Sequence, residues 1–138
     1  MIQRKQTLWL AAAATAALLT LKFNLYAGRK DTLLFEVGSS RLFYWLLPAV
    51  ATAALSVIAI FLFRNRKLQL RLTGIALLIS LLFNLLLLYS YFSNCYQLTD
   101  PIMSLGALFY FIIPVLQALA MIGIFKDEKL IKSMDRFR

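Results

Sequence analysis

The sequence predicts an all-α membrane protein with four transmembrane helices, both termini in the cytoplasm, and a short amphipathic helix at the C-terminus. The 138 residues are 62% hydrophobic, against about 45–50% in soluble domains. Uncharged stretches that are long enough to cross a bilayer flank residues 64–71, which hold four cations and no acid. We therefore expect 64–71 to be the cytoplasmic turn of a membrane hairpin, within a single domain formed by residues 1–138.

The first predicted span, residues 7–26, follows a short lead that carries Arg4 and Lys5. Its uncharged part ends at Leu21, but Lys22 can extend its ammonium group toward the headgroups, and nearby aromatic residues suit the interface. The alternative is a cleaved signal peptide, because the lead is basic and the middle is apolar. The alanines lie inside the apolar stretch rather than at a cleavage site, which favours an uncleaved helix.

Three further spans are predicted at residues 42–63, 72–92 and 102–125. The second contains Pro48 and the fourth contains Pro114. Proline removes a backbone donor and crowds the preceding turn, so we expect a kink at each of these positions.

Two charged segments complete the chain. Residues 27–41 form the longest connection, and the alternation over 33–38 suggests a short strand or an interfacial segment. In the cytoplasmic tail, residues 126–138, four apolar side chains fall on one helical face: Leu130, Ile131, Met134 and Phe137. The tail is interpreted as a short basic helix on the inner leaflet, or as a continuation of the fourth span.

The distribution of cations predicts the orientation. The lead, the central turn and the tail carry 11 of the 15 Lys and Arg residues. Loops rich in Lys and Arg stay in the cytoplasm, which puts both termini and the central turn on that side. The basic balance therefore needs no nucleic acid to explain it, and no basic stretch interleaves aromatic residues as nucleic-acid stacking platforms do.

The residue types of the chain argue against an enzyme. Histidine is absent, and Cys95 is the single cysteine, so neither a disulfide within the chain nor a CxxC pair can form. No Asp, Glu, Lys or Arg lies in the middle of a predicted span, which argues against a proton-coupled transporter. Nothing supplies a nucleophile with its base, so the chain is predicted to have no catalytic residue, no metal site and no cofactor.

Asn84 and Gln117 are the strongest polar features within the predicted spans. An unpaired amide in hydrocarbon costs several kcal/mol, so each side chain should face protein or water. They could line a path for a substrate or ion. A hydrogen bond between helices is the favoured interpretation, and such bonds are typically worth under about 1 kcal/mol.

An ion pair is predicted between the two ends of the chain. Arg4 is expected to pair with an acid of the tail, with Asp135 preferred over Asp127 and Glu128. This contact would fasten the tail helix to the start of the first span. The alternative is that both ends are solvated and the acids pair within the tail, since an exposed ion pair is worth under about 1 kcal/mol. The tail cations would then contact anionic lipid.

Both ends also resemble a known family. The resemblance is carried by Met1-Ile2-Gln3-Arg4, by Gln6-Thr7-Leu8, and by the closing Lys126-Asp127-Glu128, Leu130-Ile131-Lys132-Ser133 and Asp135-Arg136-Phe137-Arg138. These stretches are similar to a bacterial family of small four-span membrane proteins of unknown function. Lys5 departs from the family pattern, where an apolar residue is usual. The resemblance implies a bacterial inner-membrane location and an uncleaved N-terminus, and it brings no activity or catalytic residue.

The expected function is that of a non-enzymatic accessory or structural subunit of a larger membrane complex. The alternative is a small oligomeric transporter or channel subunit with a path near Asn84 and Gln117. The expected partners are the lipid bilayer, anionic lipid at its cytoplasmic face, and a protein partner or further copies of the chain. The identity of a partner or substrate is not encoded in any motif of this sequence.

Overall fold

The structure, a computed structural model, describes residues 5–30, 33–38, 43–62, 65–95 and 98–135. These residues form four helices: α1 (Lys5–Leu19), α2 (Phe43–Phe61), α3 (Arg66–Cys95) and α4 (Leu105–Asp135). They also form three strands: β1 (Asn24–Lys30), β2 (Leu33–Gly38) and β3 (Thr99–Met103). The strands make one antiparallel sheet in the order β2-β1-β3.

The helices form an up-and-down bundle in which α1 and α3 each pack against both α2 and α4. Within the described residues, two helices are long and apolar enough to cross a membrane, over Arg66–Asn94 and Leu105–Leu130. The other two apolar helices are shorter, over Gln6–Leu19 and Trp45–Phe61.

The first predicted span is shorter as a helix than the sequence indicated. The prediction extended it over residues 7–26, but α1 ends at Leu19 and β1 already begins at Asn24. β1 pairs with β2 on one side and with β3 on the other, so the sheet satisfies backbone groups that a helix would otherwise satisfy. The second of these neighbours lies about 75 residues away in the chain, which local patterning cannot detect.

The tail does not form a separate helix. α4 runs without interruption from Leu105 to Asp135, so the prediction of a distinct amphipathic C-terminal helix is wrong, and its alternative, a continuation of the fourth helix, is correct. No glycine or proline follows Gly123 to end the helix. The strand suggested over residues 33–38 is confirmed as β2.

Small side chains allow the helices to approach closely. Two buried clusters that join α1, α2 and α4 consist mainly of alanine: Ala16, Ala17, Ala53 and Ile113 in one, and Leu10, Ala59 and Ala120 in the other. At Gly123 an added Cβ would lie only 3.3 Å from the Cβ of Gln6. A larger cluster lies between the sheet and the helices: Leu25, Tyr26, Val37, Trp45, Ala49, Leu87, Ala107 and Tyr110.

Polar contacts fasten the sheet to the last turns of α3. The hydroxyl of Tyr26 in β1 lies 2.9 Å from the Ser90 hydroxyl, and Asn94 Nδ2 donates to the same Tyr26 oxygen at 3.1 Å. The Tyr91 hydroxyl donates to the backbone oxygen of Pro101 in β3 at 3.2 Å. The sheet therefore lies at the end of the bundle opposite to the starts of α1 and α3.

Candidate functional site

A buried polar cluster joins α3 and α4 and contains both amides that the sequence singled out. We call Ser80, Asn84, Tyr110 and Gln117 the interhelical cluster. Asn84 is 6% exposed and Gln117 is 0% exposed. The Ser80 hydroxyl lies 2.8 Å from Gln117 Oε1, and Asn84 Nδ2 donates to the Ser80 backbone oxygen at 2.8 Å. The structure thus brings Asn84 and Gln117 to the same place, on either side of Ser80.

Pro114 explains the position of Asn84. Proline has no backbone N–H, so the carbonyl four residues earlier, that of Tyr110, loses its partner within the helix. Asn84 Nδ2 lies 2.9 Å from the Tyr110 oxygen and donates to it. Its other hydrogen goes to the Ser80 oxygen of its own helix. Asn84 therefore replaces the hydrogen bond that Pro114 removes and attaches α3 to α4 at that point.

Some polar atoms of the bundle interior keep no hydrogen-bond partner among the described residues. They include Asn84 Oδ1, Gln117 Nε2 and the hydroxyl of Ser56 on α2. Because no surface of Gln117 is accessible, no water has room beside it. An unsatisfied buried group of this kind costs about 1–3 kcal/mol, so the interhelical cluster combines hydrogen bonds that stabilise the bundle with unsatisfied atoms that destabilise it.

A second polar cluster lies at the end of the bundle where α1 and α3 begin. We call Gln6, Arg66 and Asp127 the terminal cluster. Asp127 Oδ2 on α4 accepts a hydrogen bond from Gln6 Nε2 at 3.0 Å and lies 3.2 Å from Arg66 Nη1. Gln6 is buried, and the side chains of Arg66 and Asp127 are only 15% and 33% exposed. One carboxylate thus joins the starts of α1 and α3 to the C-terminal part of α4.

The predicted ion pair between Arg4 and Asp135 lies outside the described residues, because Arg4 and the side chain of Asp135 are not among them. Among the contacts of the described residues, the tail acid Asp127 accepts a hydrogen bond from Gln6 on α1. Sequence reasoning named Asp127 as a candidate acid but missed Arg66. The cation count indicates which end of the bundle a loop occupies, and it does not indicate which side chains of that end touch.

The terminal cluster provides a first testable prediction. Asp127→Asn removes the ion pair with Arg66 but keeps an oxygen that can accept from Gln6, so we expect a loss of about 1 kcal/mol or less, reduced by salt. Asp127→Ala removes both contacts and should cost about 1–2 kcal/mol. Unfolding in mild detergent measures both values. Asp100→Asn is the control, because Asp100 is an exposed acid at the opposite end and asparagine tolerates its φ of 52°. Equal effects of Asp127→Ala and Asp100→Asn would show that the terminal cluster contributes nothing.

Neither the metal-binding side chains of the described residues nor the family match assigns a specific activity. No group of three or more metal-binding side chains occurs among the described residues. A family model described as a domain of unknown function, DUF4293, matches residues 2–137.

The chain belongs to the DUF4293 family.

As the resemblance of its two ends implied, this is a family of unknown function, and membership assigns no reaction, ligand or site residue to the DUF4293 chain. No curated protein and no solved structure matches the chain. The polar atoms of the interhelical and terminal clusters are therefore the main basis for a functional proposal.

Proposed function

We propose that this DUF4293 protein is a multi-pass protein of the bacterial inner membrane that performs no catalysis and acts as an accessory or structural subunit of a larger membrane complex. The proposal rests on Asn84, whose side-chain amide donates hydrogen bonds to backbone oxygens of both long helices. The bond to α4 replaces the backbone hydrogen bond that is lost at Pro114. Beside it, Gln117 is packed so closely that no water reaches it. An interior of this kind holds helices together and offers no route for a solute.

The outer faces of α3 and α4 support a membrane location. They expose large apolar side chains, among them Leu78 at 66%, Leu85 at 65% and Phe125 at 60%. In water, contiguous surfaces of this kind cause aggregation, whereas lipid or a neighbouring helix covers them without cost. The same faces are available to a partner protein within the bilayer, which is what an accessory subunit requires.

The arrangement of charge supports a cytoplasmic position for both termini. The terminal cluster joins the starts of α1 and α3 to the tail, and in the sequence the lead, the central turn and the tail together carry 11 of the 15 cations. α1 has 15 residues and measures about 22 Å at 1.5 Å per residue, which is less than the roughly 30 Å hydrocarbon core. Local thinning of the bilayer and the long side chain of Lys22 would make up the difference.

A small oligomeric transporter or channel subunit is the second candidate, and one observation favours it. Asn84 Oδ1, Gln117 Nε2 and the Ser56 hydroxyl are buried without a partner. If the helices separated in an oligomer, these atoms would become the polar lining of a path. This function requires a second conformation, because the packed interior is closed.

Gln117→Leu separates the two candidates. The substitution removes the hydrogen bond from Ser80, but it also removes the unpartnered amide nitrogen Nε2 of Gln117. We therefore expect the stability in detergent to change by no more than about 1–2 kcal/mol. For an accessory subunit, the variant should retain the proteins that co-purify with the wild type in mild detergent, together with the cellular phenotype. Loss of the phenotype with the folded protein and its partners unchanged would instead support the path.

A further inference from the structure

A groove on the outside of the bundle lies between α3 and α4, on their cytoplasmic half as proposed above. It has a volume of about 320 Å³ and is lined by Leu77, Ala118, Met121, Ile122, Phe125 and Lys126. The exposed lining is entirely apolar, so Lys126 contributes its methylene stem and its ammonium group lies beyond the lining. The volume falls at the lower end of the range of about 300–1,000 Å³ for small-molecule sites.

The groove has the length of one lipid leaflet. From Ala118 to Lys126, α4 rises about 12 Å at 1.5 Å per residue. Half of the hydrocarbon core of a bilayer measures roughly 15 Å. Lys126 directly precedes Asp127, whose contacts with Gln6 and Arg66 mark the end of the bundle. The apolar part therefore ends near the level at which the phosphates of the inner leaflet would lie.

The charges at this end complement an anion. Lys126 and Lys129 are exposed on α4, and Lys67 and Arg71 are exposed on the first turns of α3. Among the residues that the structure describes, no carboxylate pairs with Lys126, because the neighbouring Asp127 is directed to Arg66 and Gln6. An apolar slot that ends at an available cation matches a molecule with an acyl chain and an anionic headgroup.

We infer that the α3–α4 groove binds one anionic phospholipid, with an acyl chain along Leu77 and Ile122 and the headgroup phosphate at Lys126. The inference rests on the proposed membrane location, and it adds a specific site to the general attraction between a basic end and an anionic leaflet. The bound lipid would cover the seam between the two long helices.

The test measures lipids that remain bound to the full chain in native mass spectrometry, titrated with phosphatidylglycerol and with phosphatidylcholine. We expect one tight phosphatidylglycerol site. Lys126→Gln should weaken phosphatidylglycerol about fivefold, the equivalent of roughly 1 kcal/mol per cation near an anionic surface, and should leave phosphatidylcholine unchanged. Ala118→Trp should fill the groove and abolish tight binding of either lipid.

Two variants serve as matched controls and should leave the binding unchanged. Lys22→Gln removes an exposed lysine at the opposite end of the bundle. Leu82→Trp places a tryptophan on α3 at an exposed position five residues beyond Leu77, about 140° around the helix.

Two results would overturn the inferred site. One is equal binding of the two lipids by the wild type, or phosphatidylglycerol binding that Lys126→Gln leaves unchanged. The other is a change from dimer to monomer on Ala118→Trp, which would show that a second copy of the chain covers the groove. Alkaline extraction of cell membranes keeps this test separate from the proposed location. A chain released by alkali would contradict the membrane location, whereas an embedded chain that lacks the lipid preference contradicts only the site.

Discussion

Gly106→Ala is expected to destabilise the protein by about 3 kcal/mol, the upper part of the usual range for overpacking. Gly106 is the second residue of α4 and lies directly against the start of β1. An added Cβ would lie 2.4 Å from the backbone oxygen of Asn24 and 2.9 Å from that of Phe23. These are backbone atoms at the entry to β1, where Asn24 pairs with β2, so they cannot rotate away as a side chain would. The cost follows from displacing the end of α4 or the beginning of β1.

Gly74→Ala is the matched control for Gly106→Ala. Gly74 lies inside α3, and an added Cβ there meets no atom within 4 Å. Alanine is favoured over glycine in a helix interior by about 0.5–1 kcal/mol, so this variant should be at least as stable as the wild type. Thermal unfolding in mild detergent compares the two. If Gly106→Ala proves as harmless as Gly74→Ala, then α4 does not approach β1 as described.

Asn84→Leu is expected to cost about 1–2 kcal/mol, because it leaves the buried oxygen of Tyr110 without a donor. The expected loss of stability depends on Pro114. In a Pro114→Ala background the new N–H of residue 114 can bond the Tyr110 oxygen, so the same Asn84 substitution should cost clearly less. A double-mutant cycle of the free energy of unfolding should give a coupling of about 1 kcal/mol between Asn84 and Pro114.

Asn94→Leu is the control for this cycle. Asn94 is also an amide on α3, and its Nδ2 donates to Ser90 four residues earlier, just as Asn84 Nδ2 donates to Ser80. Its partner outside α3 is the Tyr26 hydroxyl, far from the proline in the chain. Its coupling to Pro114→Ala should be near zero. Equal coupling for Asn94 and Asn84, or none for either, would show that Asn84 does not compensate for the proline.

The helical part of this fold follows from the sequence because its signal is local. Long uncharged stretches predicted α2 near its observed position. The basic turn predicted over 64–71 is wrong in extent, because α3 already begins at Arg66, six residues before its predicted span, and α4 continues ten residues beyond the predicted end at 125. The sheet was predicted only at β2. β1 and β3 are defined by partners elsewhere in the chain, such as Tyr26 opposite Met103, and short strands of this composition have no distinctive period of their own.

The polar residues of the interior were predictable as residues but not as a network. Amides are rare in apolar stretches, so Asn84 and Gln117 stand out on the sequence alone. The hydrogen bond from Asn84 to the carbonyl that Pro114 leaves without a partner became visible only once the packing of α4 against α3 was known. A proline in one helix and an amide in the neighbouring helix is a sequence signal that could have suggested this bond. Arg66 is one of four cations in residues 64–71, and nothing in that stretch of sequence distinguishes the cation that pairs with Asp127.

The central claim is that the chain crosses a membrane with its cation-rich end in the cytoplasm, and cysteine labelling tests it most directly. Cys95 is the single cysteine, so the wild type reports on the end near the sheet without further change. Asn65→Cys in a Cys95→Ser background reports on the exposed central turn. With a membrane-impermeant maleimide, we predict labelling of Cys95 in intact cells, and labelling at position 65 only after the membrane is opened. Labelling at position 65 in intact cells, with Cys95 protected, would contradict the orientation, and labelling of both positions from one side would contradict the crossing itself.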